Sequence, residues 1–186
     1  MHMNVEIEFK TQISKDKYDE LIENFELEQN VFKQTNYYFD TNDLDLNKRS
    51  MVLRIRQKKE TFKLTLKSQS ETGAFEYHVL IDADQAQQMK KEGFHTKDFF
   101  EQIDYHVCFQ TSLDNFRAST PYMGGILFLD YNEYCGLKDY ELEYEADHFE
   151  TGLEIFNKML NKFNITFEQT QRKSERALTC IIPKNK

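Results

Sequence analysis

The chain lacks what would place it in several large protein classes. No apolar run approaches the roughly 20 residues a membrane-spanning helix needs, and the opening MHMNVEIEFK holds no apolar stretch of signal-peptide kind. A cytoplasmic domain without membrane attachment is therefore expected. Two prolines and six glycines leave no flexible linker, and no repeat or low-complexity tract breaks the 186 residues. One domain over 1–186 is expected, long enough to bury a core without disulfides or a structural metal. Cysteine is sparse: Cys108, Cys135 and Cys180 form no C-x-x-C pair and read as reduced thiols. Basic residues number 24 against 32 acidic ones, and a net charge of −8 argues against a general duplex nucleic-acid binder. A local basic cavity stays compatible with that total. The P-loop pattern G-x-x-x-x-G-K-[ST], the nucleophile elbow G-x-S-x-G and the zinc helix H-E-x-x-H are all missing.

What the chain does have is aromatic residues, 16 Phe and 10 Tyr, and alternation. Period-2 segments at 4–11, 33–40, 50–58, 61–68, 73–81, 112–120, 125–132 and 138–146 read as strands, several joined by hairpin-length connections. Helical spacing appears at 15–27 after Ser14, at 82–93 between Asp82 and a glycine, and at 150–164, with shorter turns at 96–102 and 174–180. The expected class is α+β: an eight-stranded antiparallel sheet able to close into a barrel, with helices packed outside.

Successive strand side chains point to opposite faces. Val5, Ile7 and Phe9 therefore oppose Glu6, Glu8 and Lys10, while Met51, Leu53 and Ile55 oppose Arg54, Arg56 and Lys58. Phe62, Leu64 and Leu66 oppose Lys63 and Lys67; Phe75, Tyr77 and Val79 oppose Glu76 and His78; Tyr140, Leu142 and Tyr144 oppose Glu141, Glu143 and Glu145. A solvated charged face explains any one such strand. Whole strands of one sign suggest an inverted arrangement, with the apolar faces outward under helices and the charged faces lining a bore wide enough for one small ligand.

Two glutamates at i and i+2 on a strand have Cα atoms roughly 6.8 Å apart on one face. They suit a hard cation such as Mg²⁺, which takes oxygen ligands and often completes its shell with substrate phosphates. Glu6 with Glu8, and Glu141 with Glu143, are such pairs; Asp130, Glu145 and Glu76 are candidates for a second metal site. Arg54, Arg56, Lys10, Lys63, Lys67 and Arg117 are candidate phosphate ligands, guanidinium as a two-pronged fork and ammonium as a point charge. Surface ion pairs account equally well for Lys63 and Arg117. Tyr38, Phe39 and Phe116 are candidates for stacking on an organic group, although core packing is the commoner role. His106 and Cys108 share strand spacing but lack further metal ligands, and His78 stands alone on its charged face.

The E-x-E-x-K strand Glu6-Ile7-Glu8-Phe9-Lys10 resembles the CYTH superfamily, the triphosphate tunnel metalloenzymes. The resemblance continues in order through Arg54-x-Arg56, Leu64-Thr65-Leu66-Lys67, Glu76, Arg117, Leu129-Asp130, Glu141-x-Glu143 and Lys173-Ser174, as in the small single-domain members of Gram-positive bacteria. It implies an eight-stranded tunnel acting on a triphosphate-containing small molecule (tripolyphosphate, ATP or thiamine triphosphate) with Mg²⁺ or Mn²⁺. It also implies Glu6, Glu8, Glu141 and Glu143 as metal ligands and Lys10, Arg54, Arg56, Lys67, Arg117 and Lys173 on the phosphates. Glu76 and Asp130 would complete a second metal site or orient the attacking water, and Lys10 would also serve catalysis. His78 departs from the second acid that many members carry after Glu76, and Asn115 from a base two residues before the arginine. The expected activity is metal-dependent hydrolysis, inorganic triphosphate first. Adenylate cyclisation of the class IV type and non-catalytic polyphosphate or nucleotide binding are the alternatives.

Overall fold

The computed structural model describes the backbone of residues 3–70 and 73–181 and the side chains of 7–68 and 75–181; the expectation for the Glu6 side chain lies outside the described residues. Among these, the chain order is β1 (Met3–Ile13), α1 (Lys15–Asn24), β2 (Phe32–Asp40), α2 (Asp45–Lys48), β3 (Met51–Lys58), β4 (Thr61–Ser70) and β5 (Gly73–Ile81). There follow α3 (Ala83–Glu92), β6 (Phe94–His95), β7 (His106–Tyr122), β8 (Gly125–Tyr134), β9 (Leu137–Ala146), α4 (Phe149–Lys162) and α5 (Lys173–Thr179). The fold is α+β and its strand pairs are antiparallel, as expected.

All eight expected strands are present. The two-residue β6 is added, and β7 starts at His106 rather than at 112 because His95 and Phe94 pair with His106 and Val107. The helix expected over 96–102 reduces to a 3-10 turn at Thr96–Asp98. Helix α1 stops three residues short of expectation. Glu26 turns into the left-handed region at φ 53°, and the Leu27 N–H then closes onto the Ile22 carbonyl at 2.9 Å.

The chain divides into two compact units. Among the described residues, the first holds 3–5, 34–70, 73–113 and 172–181. Its strands β2, β3, β4 and β5 pair in sequence order, with Leu53 opposite Leu66 and Ile55 opposite Leu64. These side chains are buried against Ala86 and Met89 of α3 and against Phe94, Phe100 and Val107. Helix α3 starts in a capping box, Asp82 accepting from the Gln85 N–H at 2.7 Å. Asp40, at the end of β2, accepts from the Leu46 and Asn47 N–H groups, each at 2.9 Å, and so fastens α2 to the strand.

The second unit holds 6–33 and 114–171, and here the order is β1, β9, β8, β7. Leu127, Leu129, Leu142 and Tyr144 pack under Leu21 of α1 and Phe156, Met159 and Leu160 of α4. Helix α4 comes close because residue 152 is glycine: a Cβ there would stand 2.7 Å from both the Ala146 Cβ and a Phe9 ring carbon. The β8–β9 hairpin turns through Cys135 and Gly136, both at positive φ, the geometry that matches strand twist.

The three-thiol expectation is corrected. Cys108 is free, whereas Cys135 and Cys180 are disulfide-bonded. Disulfide partners are fixed by distance in the fold, which spacing along the chain does not report. The cysteines therefore no longer argue for a reducing compartment. No helix among the described residues is long and apolar enough to cross a membrane.

Candidate functional site

Four carboxylates on the charged strand faces are withdrawn from solvent. Asp130 and Glu141 are fully buried, and Glu143 and Glu76 are only 6% and 8% exposed. Burying a carboxylate is costly unless partners compensate, so the partners decide what each unit can do.

In the second unit, Arg117, Asp130 and Glu141 stand directly opposite one another on β7, β8 and β9, and Glu143 follows two residues along the same face of β9. Ligand oxygens of Asp130, Glu141 and Glu143 all lie within 4.8 Å of one another, the one such group of three or more acidic, His or Cys side chains among the described residues. Arg117 bonds both Asp130 oxygens, Nε to Oδ1 at 2.7 Å and Nη2 to Oδ2 at 2.6 Å, and also donates to Glu143. Its guanidinium carbon sits 4.3 Å from the Phe128 ring centroid. Burial alone would lower the Arg117 pKa, but Asp130 and Glu143 outweigh it and push the pKa up, so the charge is permanent. Arg117 is thus no surface residue. Three buried acidic side chains beside one guanidinium form a set of hard oxygen donors with an excess of acidic groups. That donor set fits a divalent cation of the Mg²⁺ or Mn²⁺ kind.

Lys10 lies opposite Glu143 in the β1–β9 register and donates to Glu8 at 2.9 Å. Next along the same face, the Asn115 amide donates to Asn132 at 2.9 Å, and Asn132 donates to Asp139 at 2.8 Å. This row, buried at Asn115 and Asn132 and ending on the part-buried Asp139 carboxylate, spends the Asn115 side chain inside the sheet. Lone polar residues on a strand give little signal of such a row.

In the first unit the sign reverses. Arg54 and Arg56 project from β3, Lys63 and Lys67 from β4, and Glu76 and His78 from β5, with Lys67 opposite Glu76 and Arg56 opposite Lys63. Lys67 Nζ lies 3.4 Å and Arg54 Nη2 3.9 Å from Glu76 Oε1, while His78 Nε2 lies 3.3 Å from Oε2. Burial pushes Glu76 toward protonation; Arg54 and Lys67 outweigh that and hold its pKa at about 2. Burial, with Lys63 close by, moves the His78 pKa down. Arg56 donates through Nε to Asn36 at 2.9 Å, a contact not anticipated, although Gln34 and Asn36 alternate with larger residues along β2. Two buried polar atoms, Arg54 Nε and Glu76 Oε1, have no hydrogen-bond partner among the described residues. Half-buried Lys173 opens α5. Tyr38 and Phe39 are buried, and Phe116 stacks on Tyr131 at 5.2 Å, so these rings serve packing. Cys108 Sγ and His106 Nδ1 are 4.0 Å apart, outside any three-ligand group among the described residues.

The match to known proteins agrees with the class that this fold and these charged faces define. Residues 4–178 match the CYTH domain, and the chain belongs to the CYTH domain family. Over 179 residues it is 33% identical to YjbK of Bacillus subtilis, described as a candidate triphosphatase, with 93% of this chain and 94% of that protein covered. A solved structure from Bacillus halodurans, described as a candidate adenylate cyclase, superposes with a TM-score of 0.86 at 31% identity, covering 95% and 98% of the two chains. A candidate adenylyl cyclase from Hippeastrum, described as having a dominant triphosphatase activity, shares the fold with a TM-score of 0.74 at 24% identity over 94% and 95%.

Proposed function

We propose that this chain is a divalent-metal-dependent hydrolase of triphosphates, with inorganic triphosphate as the first substrate. The observation that carries the reading is the convergence of Asp130, Glu141 and Glu143 in a buried acidic cluster within a CYTH-family chain. Glu141 and Glu143, with Asp130 beside them and Glu8 and Glu6 from β1, would hold Mg²⁺ or Mn²⁺. When bound, the ion would neutralise phosphate oxygens and stabilise the charge that develops on them.

Arg54, Arg56, Lys63, Lys67 and Lys173 supply the cations that bind the phosphate chain, Lys10 the charge beside the metal carboxylates. Arg117 holds the acids in place and keeps their charge tolerable before the ion arrives. Glu76, kept ionised by its cationic neighbours, orients the attacking water. Attack in line on a terminal phosphorus breaks one P–O–P bond and yields orthophosphate and pyrophosphate. Fixed charges supply most of the acceleration in such transfers, so a preorganised array is the machinery the chemistry needs.

Phosphate release from tripolyphosphate, ATP and thiamine triphosphate, with and without Mg²⁺ or Mn²⁺, tests the reading. Metal-dependent release from tripolyphosphate, lost in Glu143→Gln, is expected. The Bacillus halodurans relative favours one second reading, cyclisation of ATP. Cyclic AMP with pyrophosphate would replace the hydrolase by a cyclase, and binding without turnover would leave a sensor.

A further inference from the structure

The hydrolase reading leaves one group of metal-binding side chains in the first unit without a task. His106 and Cys108 stand two residues apart on β7 and so project from the same face. Strand pairing adds a third donor: His95 of β6 lies directly opposite His106, and the two imidazole rings are 5.0 Å apart. His95 and His106 are exposed and Cys108 is half-buried. Two residues of this spacing on one strand, with a third opposite on the next, form a triangle of Cβ atoms roughly 5–7 Å on a side. Side chains as long as His and Cys can close such a triangle onto one ion above the face. Gly93, just before β6, gives them room, since a Cβ there would stand 3.1 Å from His106 Cε1 and 3.3 Å from Cys108 Sγ.

We infer that His95, His106 and Cys108 form a zinc site, three protein ligands with the fourth position left to water. Imidazole nitrogen and thiolate sulfur are donors that zinc takes, whereas the carboxylates of the second unit suit the harder Mg²⁺. Cys108 Sγ lies 4.0 Å from His106 Nδ1. Nitrogen and sulfur ligands on one tetrahedral zinc are roughly 3.6 Å apart, so this pair stands close to ligating distance already. The three donors do not all lie within 4.8 Å of one another. His95 closes the set by a rotamer change, which an exposed side chain makes in picoseconds to nanoseconds. Cys108 is a free thiol, and its proton passes to solvent as the zinc–sulfur bond forms. The bound ion clips the two-residue β6 to β7, adding to the pairing of Phe94 with Val107 and His95 with His106. No residue of the acidic cluster takes part, so the site stands or falls apart from the hydrolase reading.

Titration of the full-length protein with Co²⁺, followed by Zn²⁺, tests the site. Excess Mg²⁺ is present to fill the acidic cluster, and reductant is left out so that Cys135 and Cys180 stay bonded. A thiolate-to-cobalt charge-transfer band then reports Cys108 alone. Wild type should take up one equivalent of Co²⁺ with that band, Zn²⁺ should displace it, and Zn²⁺ should raise the melting temperature. Cys108→Ser should abolish the band. His95→Gln and His106→Gln should each weaken Zn²⁺ binding by at least about tenfold, the loss that follows when even a group supporting a ligand is removed. All three side chains reach solvent, so the variants should melt with wild type in metal-free buffer. No charge-transfer band in wild type overturns the site. So does a His95→Gln variant that binds Zn²⁺ as tightly as wild type, because the ion would then rest on β7 alone.

Discussion

Arg117 grips Asp130 through two parallel hydrogen bonds, 2.7 and 2.6 Å long, from directly across the β7–β8 pair. Fork-to-fork contact of this kind is among the stronger polar interactions, and here it also shields Glu143. Breaking a buried pair costs more than forming it gains, because the remaining charge is stranded. Arg117→Met should destabilise the protein by about 3–5 kcal/mol in metal-free buffer. Saturating Mn²⁺ should restore part of the loss, since the ion then balances the three carboxylates. Urea unfolding with and without the ion measures both effects; a loss that Mn²⁺ does not reduce would remove Arg117 as the stand-in for the cation.

Arg56 donates through Nε to Asn36 at 2.9 Å, a bond that helps orient the guanidinium proposed to bind the phosphate chain. Arg56→Ala should weaken tripolyphosphate binding by about 1.5–3 kcal/mol, the range for hydrogen bonds to charged groups. Asn36→Ala should weaken it less, and neither should alter Mn²⁺ affinity. Calorimetric titration of each ligand separately checks the division of labour.

Glu76 ties stability to acid. Its pKa is about 2 in the fold against an ordinary 4.5, so its charge stabilises the folded state fully above pH 4.5. That contribution fades as the pH falls toward 2. Wild type should lose more stability over this interval than Glu76→Gln, which carries no titrating group there. Unfolding curves at a series of acid pH values show whether the two slopes differ.

Gly152 sets how closely α4 can lie on β9 and β1. A methyl group there would be forced to 2.7 Å from Ala146 and Phe9, so Gly152→Ala should cost about 1–3 kcal/mol despite its better helix propensity. Thermal unfolding of the variant tests this, and a higher melting temperature would mean that the helix can shift outward at little cost.

The strands and their two-sided character were legible because alternation in Leu53–Arg56 or Leu64–Lys67 records both faces at once. Less legible were elements that depend on a distant partner. Helix α2 has four residues, and the carboxylate that accepts from its Leu46 and Asn47 N–H groups is Asp40, upstream on another element. Strand β6 exists through pairing with His106 and Val107, which no local pattern announces. At the site, the sequence supplied the charged residues without their pairing. Asp130 stood apart from the Glu141–Glu143 pair in the sequence reading, yet the β8–β9 register sets it opposite Glu141. Thr65 and Asn36 carry no signal of a role in the sequence, because a neutral side chain gains one only when register fixes its neighbour.

The double-sided strands also bear on descent. Each carries two interleaved texts, one spelled in Leu, Ile and Phe that packs the core, and one spelled in Glu, Arg and Lys that is proposed to meet the ligand. Edits to the second text leave the first intact, so a lineage can exchange one reaction for another without passing through an unfolded ancestor. Chains described as triphosphatases and as cyclases on a single frame are what such a script would produce.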